Sequence, residues 1–229
     1  MFKVKIFTIY PQFFPGPFDT GIYGNALEKK IWDLKTVNIR DFAEDKHKTV
    51  DDTPYGGGSG MVMRADVIAN SLDKNLDTGE KVYYLSPRGK LFNQEIAKKI
   101  SKEKSLNILC GHFEGVDQRV LDNKNIEEIS IGDYVISGGE TASYVVLDSV
   151  LRLIPGVLGN EDSTVDESFE NGLLEYPQYT KPQIWQKNKV PEVLLSGDHA
   201  KIKHWRLSQS EAITRDRRPD LWHKHNKKN

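Results

Sequence analysis

The sequence is poor in cysteine and has no long apolar run. Its 229 residues include a single cysteine, Cys110, which excludes an internal disulfide and argues against a structural zinc site built on several thiolates. No apolar run approaches the roughly 20 residues of a membrane-spanning helix, and the N-terminal segment lacks the apolar core and cleavage pattern of a signal peptide. We therefore expect a cytoplasmic protein with no metal ligands and no membrane contact.

Acidic residues are scarce near the end of the chain, although the whole chain has a formal net charge of −1. From Lys201 onward there are nine Lys and Arg residues and three Asp and Glu residues, so this segment carries +6 and residues 1–200 carry −7. Apolar residues recur at helical spacing between Lys201 and Arg218. This pattern predicts a basic helix that binds a polyanion, whereas we interpret His223–Asn229 as a solvated tail.

Segments typical of strands and helices alternate through the first two-thirds of the chain. This alternation predicts βαβ units and an α/β fold with a mainly parallel sheet covered on both faces. A long polar loop at Asp41–Gly60 interrupts it and is typical of a functional or mobile segment. Strands are expected at Phe2–Ile9, Thr36–Ile39, Lys81–Leu85, Leu106–Cys110 and Glu128–Ile131, and helices at Ala26–Trp32, Ala65–Leu72, Phe92–Glu103, Val116–Leu121 and Glu140–Leu153.

The strand pattern stops after an acidic, polar stretch that we interpret as a linker. Beyond it, Asp198 is suited to cap a helix running to Ile213, and Pro219 is suited to begin another. The sequence therefore predicts an α/β domain at residues 1–158, a linker at 159–171 and a small helical domain at 172–229.

Three glycine-containing loops follow predicted strands, at Ser86–Gly89, Gly111–Gly115 and Gly132–Glu140. The loops that follow parallel strands emerge at one edge of the sheet, where open α/β sheets bind ligands. Glycines there let the backbone approach a ligand closely. None of the loops matches a dinucleotide or phosphate-loop motif, and Gly56–Gly60 lacks the lysine of a phosphate loop. We expect a ligand that is not recognised mainly through phosphates.

Seven segments, in order and spanning nearly the whole chain, carry a specific resemblance. Together they resemble the bacterial tRNA (guanine-N1)-methyltransferase family, known as TrmD. The segments are Val50–Met61, Tyr84–Pro87, Cys110–Asp117, Ser130–Glu140, Ile154–Gly159, Gly172–Thr180 and Leu194–His199.

The resemblance implies a fold, a reaction and partners. The fold is an α/β SPOUT-type parallel sheet with a deep trefoil knot, followed by a small helical C-terminal domain. The reaction is S-adenosylmethionine-dependent methylation of guanine N1 at tRNA position 37, and the partners are the tRNA anticodon arm and a second subunit in a homodimer with shared active sites. The cofactor-binding residues that it implies are Tyr84, Leu85, Ser86, Pro87, Gly111, Glu114, Ile131, Gly132, Asp133, Tyr134, Val135, Ile136, Gly138 and Gly139.

The resemblance also implies a catalytic base and a cation. Family members carry an aspartate before a Ser-Phe pair in the linker, and Glu167 occupies that position here, with Asp166 as the alternative. Arg152 matches an arginine that faces guanine O6. The tRNA contacts implied by the resemblance or indicated by the basic helix are Tyr55, Ser168, His199, Lys203, Arg206 and Arg215.

Some questions stay open at the level of sequence. A Mg2+ requirement cannot be read from the residues. A catalytically inactive, tRNA-binding SPOUT-like module is the alternative that the Glu167 departure favours. A small-molecule α/β enzyme with an unrelated basic tail is a third hypothesis.

Overall fold

A computed structural model describes residues 1–159 and 167–227. The chain divides into two compact units, Met1–Gly159 and Asn160–Asn229, each of which we describe by itself. The candidate base Asp166 and most of the linker proposed at 159–171 lie outside the described residues. The domain boundaries proposed from the sequence therefore stay a prediction.

The first unit is built on a parallel five-stranded sheet. Its strand order is β2-β1-β6-β5-β7, and every pairing in the sheet is parallel. The predicted α/β class with a parallel sheet is confirmed. The strands are β1 (Phe2–Thr8), β2 (Trp32–Asn38), β5 (Val82–Leu91), β6 (Ser105–Leu109) and β7 (Ile126–Ser130), and a separate antiparallel pair is formed by β3 (Asp51–Asp52) and β4 (Val62–Met63).

Helices cover both faces of the sheet. Side chains of β1 alternate between two hydrophobic clusters: Val4 and Ile6 join the first, and Phe7 joins the second. The first cluster contains residues of α1, α3 and α5, and the second contains residues of α2 and α4, as expected for a parallel sheet buried on both sides. The helices are α1 (Gly21–Glu28), α2 (Ala65–Asp73), α3 (Gln94–Ile100), α4 (Gln118–Asn123) and α5 (Gly139–Leu151).

The boundaries around α1 and β2 were wrong in the sequence analysis. The predicted helix Ala26–Trp32 ends at Glu28, and Lys30 takes a positive φ of 56° that stops it. Trp32 instead begins β2, where its ring is fully buried. Because β2 is an edge strand with exposed Asp33 in its interior, its apolar alternation is weak, and only its second half was recognised.

The predicted loop Ser86–Gly89 is an excursion within β5 and not a link between a strand and a helix. Leu85 and Lys90 both pair with Ile129 of β7, so the residues between them leave the ladder. Gly89 lies so close to β7 that an added Cβ would be 2.3 Å from the Ile129 nitrogen. A glycine is required there because the obstructing atom belongs to the backbone.

The second unit combines helices with a hairpin that the sequence analysis missed. The antiparallel pair β8 (Ile184–Trp185) and β9 (Asn188–Lys189) precedes three helices, α6 (Glu192–Leu195), α7 (His199–Arg217) and α8 (Pro219–Asn226). Two helix starts are confirmed. The Asp198 carboxylate accepts a hydrogen bond from the Lys201 N–H at 3.1 Å, and Pro219 is the first residue of α8.

Candidate active site

A cleft lies at the carboxyl ends of β6 and β7, beside the excursion within β5. It has a volume of about 340 Å³, within the range of small-molecule sites. Its walls come from the three glycine-containing loops, so the expectation that these loops share one edge of the sheet is confirmed. The lining residues outside the predicted set are Arg88, His112, Phe113, Gly115, Val116, Ile129, Ser130, Ser137 and Ala142.

The structure brings the predicted cofactor-binding residues together, with one exception. Asp133 is not among the residues that line the cleft, whereas its neighbours Gly132 and Tyr134 are. Of the additional residues, five belong to the loops that the sequence analysis singled out, and their position in those loops was the available signal. Ala142 stands one helical turn into α5, where no glycine or loop pattern marks it.

Close packing explains two of the cleft glycines. A Cβ on Gly111 would lie 2.6 Å from the ring of Tyr84, and a Cβ on Gly139 would lie 2.6 Å from the Cα of Cys110. The Gly139 N–H also donates to the Gly111 carbonyl at 2.9 Å. These contacts bind the start of α5 to the end of β6, and together they hold two walls of the cleft side by side.

A buried carboxylate joins three segments beneath the cleft. Glu140, the second residue of α5, accepts a hydrogen bond from the Thr8 hydroxyl at the end of β1. Its other oxygen lies 2.6 Å from Nε2 of His112 in the second loop. The His112 ring packs edge-on against Tyr10 with centroids 5.0 Å apart. Neither His112 nor Glu140 is among the predicted site residues, although both lie in segments that carry the family resemblance.

We expect the replacement of Glu140 by alanine to destabilise the first unit. The change leaves Thr8 and His112 without their shared partner in a buried position, and the expected loss in free energy of unfolding is about 3 to 5 kcal/mol. Urea denaturation followed by far-ultraviolet circular dichroism measures it. The exposed Glu95→Ala change is the control, and equal midpoints for the two variants would show that the buried network contributes little.

Titration of the groups near the cleft is governed by burial. Burial, reinforced by the negative charge of Glu140, raises the pKa of the Cys110 thiol well above its ordinary value. The thiol is therefore neutral near pH 7 and is not a nucleophile. Burial also raises the pKa of the Tyr84 hydroxyl.

The polar loop Asp41–Gly60 is attached to the cleft at its end. Its glycines lead into β4, where the Met63 N–H donates to the Gly115 carbonyl, and the Glu114 N–H donates to the Met61 carbonyl, each at 2.9 Å. Gly60 lies against the Glu114 side chain. Tyr55, a predicted tRNA contact, is 100% exposed in this loop.

Arg152, the predicted cation, is not among the residues that line the cleft. It caps the C-terminus of the 13-residue helix α5, while Gly139 at the cleft begins that helix. A helix of this length separates the two residues by roughly 20 Å. Arg152 therefore lies at the opposite end of α5 from the cleft.

A second pocket, of about 620 Å³, lies within the second unit. It brings together Glu167, His199, Lys203 and Arg206, whose roles the sequence analysis predicted. The guanidinium of Arg206 lies over the Tyr176 ring, 4.8 Å from its centroid, a cation–π contact. The predicted catalytic carboxylate and three predicted tRNA contacts thus share one surface.

Two predicted tRNA contacts lie outside this pocket and have partners in the protein. The Ser168 hydroxyl accepts a hydrogen bond from the Glu175 N–H at 3.0 Å. The guanidinium of Arg215 lies 5.9 Å from the centroid of the Trp222 ring.

No three His, Cys, Asp or Glu side chains within residues 1–159 and 167–227 are grouped so as to hold a metal ion. In the same ranges, no helix combines the length and the apolar character needed to cross a membrane.

A parallel sheet with a glycine-walled cleft at its carboxyl edge defines an α/β protein of the kind that binds ligands at that edge. A family model described as tRNA (Guanine-1)-methyltransferase TrmD matches residues 2–224, and the chain belongs to this family of enzymes. The family predicted from the sequence is thereby confirmed.

Curated relatives agree with the family model along the whole chain. A tRNA (guanine-N(1)-)-methyltransferase of Pelagibacter ubique (strain HTCC1062) is 70% identical over 227 residues, which are 99% of this chain and 100% of that protein. Proteins of the same name from Brucella canis and Brucella ovis are 55% and 54% identical over 221 residues, covering 96% of this chain and 90% and 91% of theirs.

Proposed function

We propose that this protein transfers a methyl group from S-adenosylmethionine to N1 of the guanine at tRNA position 37, beside the anticodon. The observation that carries the proposal is the cleft, because a chain of this family needs a site for a methyl donor. The relatives named above are tRNA guanine-N1 methyltransferases. Their names support guanine as the methylated base and N1 as the methylated atom.

The residues of the cleft fit such a donor. Leu85, Ile131 and Ile136 offer apolar surface for an adenine ring, and the loop backbone offers hydrogen-bonding groups for its edge. Glu114 lines the cleft and would face the positive charge of the donor. When bound, S-adenosylmethionine supplies an electrophilic methyl carbon.

Guanine N1 carries a proton at neutral pH and becomes a good nucleophile only when that proton leaves. In this proposal the Glu167 carboxylate accepts the N1 proton. General base catalysis of this kind increases the reaction rate by about a hundredfold to ten-thousandfold. Arg152 stabilises the negative charge that develops on O6, at roughly 3 kcal/mol in a site that excludes water.

The position of Arg152 supports an active site shared by two subunits. Because α5 places this residue at the end remote from the cleft, a homodimer would let the arginine of one subunit act at the cleft of the other. Exposed apolar side chains that line the cleft are consistent with a second subunit packing there: Val135 of the third loop is 88% exposed, and Phe113 of the second loop is also exposed. The close approach of β5 to β7 at Gly89 is compatible with the deep knot that the resemblance implies.

The decisive experiment is incubation of the protein with radiolabelled S-adenosylmethionine and tRNA carrying guanosine at positions 36 and 37. Label recovered as 1-methylguanosine supports the proposal. Tight tRNA binding without transfer would support the inactive binding module instead, and absence of tRNA binding would contradict both.

Neutralising part of the basic helix α7 is expected to weaken tRNA binding. The double change Arg215→Gln and Arg217→Gln should raise the tRNA KM about tenfold and reduce the slope of log K against log salt by about 1 for each lost phosphate contact. Arg218 is left intact because it pairs with Asp220 at 2.7 Å. Filter binding across a salt series measures the slope, with Lys102→Gln and Lys104→Gln in the first unit as the charge-matched control. An unchanged slope would exclude these arginines as phosphate contacts.

A further inference from the structure

The hairpin of β8 and β9 presents an aromatic side chain to solvent. Its register pairs Ile184 with Lys189 and Trp185 with Asn188, so the turn consists of Gln186 and Lys187. Both turn residues have positive φ, at 49° and 69°, a conformation that two-residue hairpins usually assign to asparagine and glycine. Here the turn has glutamine and lysine at these positions, and Lys187 places a long cationic side chain at the tip of the hairpin.

The side chain of Trp185 is not buried by packing within the second unit. Its side chain is 62% exposed, and Ile184 beside it is 57% exposed. Across residues 1–159 and 167–227, no aromatic ring contact or side-chain hydrogen bond of Trp185 is present, whereas Trp205 packs near Tyr179 with ring centroids 6.2 Å apart. An exposed indole of this kind marks an interaction site.

The charge around Trp185 is of one sign. Lys181, Lys187 and Lys189 are all exposed, and no Asp or Glu occurs in the sequence between Glu175 and Glu192. We define the hairpin surface as Trp185 with these three lysines. Lysine is depleted in protein–protein interfaces, whereas an aromatic face among cations is the pattern by which proteins hold unpaired nucleotides.

We propose that the hairpin surface binds an unpaired nucleotide of the tRNA, with the base stacked on the indole of Trp185 and the lysines near the adjoining phosphates. This inference rests on the proposed function, because it assumes that tRNA is the substrate. The proposed contact is a stacking interaction between the Trp185 indole and the face of a base. The arginines of α7, in contrast, are proposed to contact phosphates. Stacking is independent of counterion release, so the two kinds of contact differ in their response to salt.

The test compares tRNA binding by the full chain and by variants of Trp185. Trp185→Ala should raise the Kd for tRNA about tenfold and leave the salt slope unchanged, and Trp185→Phe should restore most of the affinity because it keeps an aromatic face. Lys187→Gln with Lys189→Gln should instead reduce the salt slope. Leu195→Ala, which truncates another exposed apolar side chain of the same unit, is the matched control and should change neither quantity.

Methyl transfer and sedimentation are measured on the same preparations. If wild-type protein produces 1-methylguanosine and Trp185→Ala binds tRNA as tightly as wild type, the hairpin inference is overturned and the proposed function stands. If Trp185→Ala instead dissociates the protein into a lighter species, the hairpin surface is a subunit contact and the inference is overturned. If wild-type protein binds tRNA but transfers no methyl group, the proposed function fails, while a weakened Trp185→Ala still supports the hairpin contact.

Discussion

Replacing Glu167 by glutamine is expected to lower the rate of methyl transfer by about a hundredfold to ten-thousandfold while leaving S-adenosylmethionine affinity nearly unchanged. Glutamine keeps the shape of the side chain but cannot accept the N1 proton at neutral pH. Single-turnover transfer of labelled methyl groups, with donor and tRNA both saturating, isolates this step from binding. Calorimetric titration with S-adenosyl-homocysteine then checks that the donor site is intact.

Two matched variants decide whether Glu167 is the base. Asp166→Asn alters the neighbouring carboxylate and should retain most of the rate. Glu167→Asp introduces the shorter residue that the resemblance implies at this position and should remain active. If Glu167→Gln turns over normally, or if Asp166→Asn carries the loss, the proton acceptor is not Glu167.

The segment that follows Glu167 is folded onto helix α7, which has a mechanistic consequence. The Leu174 N–H donates to the Thr214 hydroxyl at 2.8 Å, and Thr214 is fully buried in α7. The Glu175 N–H reaches back to Ser168. The candidate base Glu167 therefore belongs to the same unit as the basic helix α7. A tRNA that binds α7 would be bound to the unit that also carries this carboxylate.

The cleft could be predicted from the sequence because its signals are local. Glycines in the excursion of β5 and after β6 and β7 mark positions where the backbone comes close to neighbouring atoms, and the parallel topology gathers such positions at one edge. The same reasoning separates Arg152 from the cleft, because the predicted helix Glu140–Leu153 begins at the third loop and has this residue near its other end. The link from Glu140 to Thr8 spans distant parts of the chain and leaves no periodic signal.

The errors in the fold have a common physical origin. The end of α1 depends on the positive φ of Lys30, a residue type that gives no warning of such a conformation. The hairpin of β8 and β9 is too short to show alternation, and its turn lacks the Asn-Gly pair by which sequence patterns recognise hairpins. In both places the backbone conformation is determined by tertiary context and not by local propensity.

Gly139→Ala is expected to be a strongly damaging single-methyl change at the wall of the cleft. The new Cβ would lie 2.6 Å from the Cα of Cys110 and 2.9 Å from the nitrogen of Gly111. Both are backbone atoms and cannot rotate away, so α5 must shift from the end of β6 and carry a cleft wall with it. A displacement approaching 1 Å at a reacting centre costs about a hundredfold, and we expect a loss of that order in kcat/KM for S-adenosylmethionine.

The control for Gly139→Ala is Gly159→Ala, because no atom lies within 4 Å of the Cβ that would be added there. Overpacking by one methyl group costs about 1 to 3 kcal/mol of stability, so thermal unfolding is measured alongside activity to separate a distorted cleft from an unfolded one. A folded Gly139→Ala protein with wild-type kinetics would mean that the contact between α5 and β6 does not shape the donor site. Because the second and third loops meet at this contact, its failure would remove the structural basis for placing the methyl donor between them.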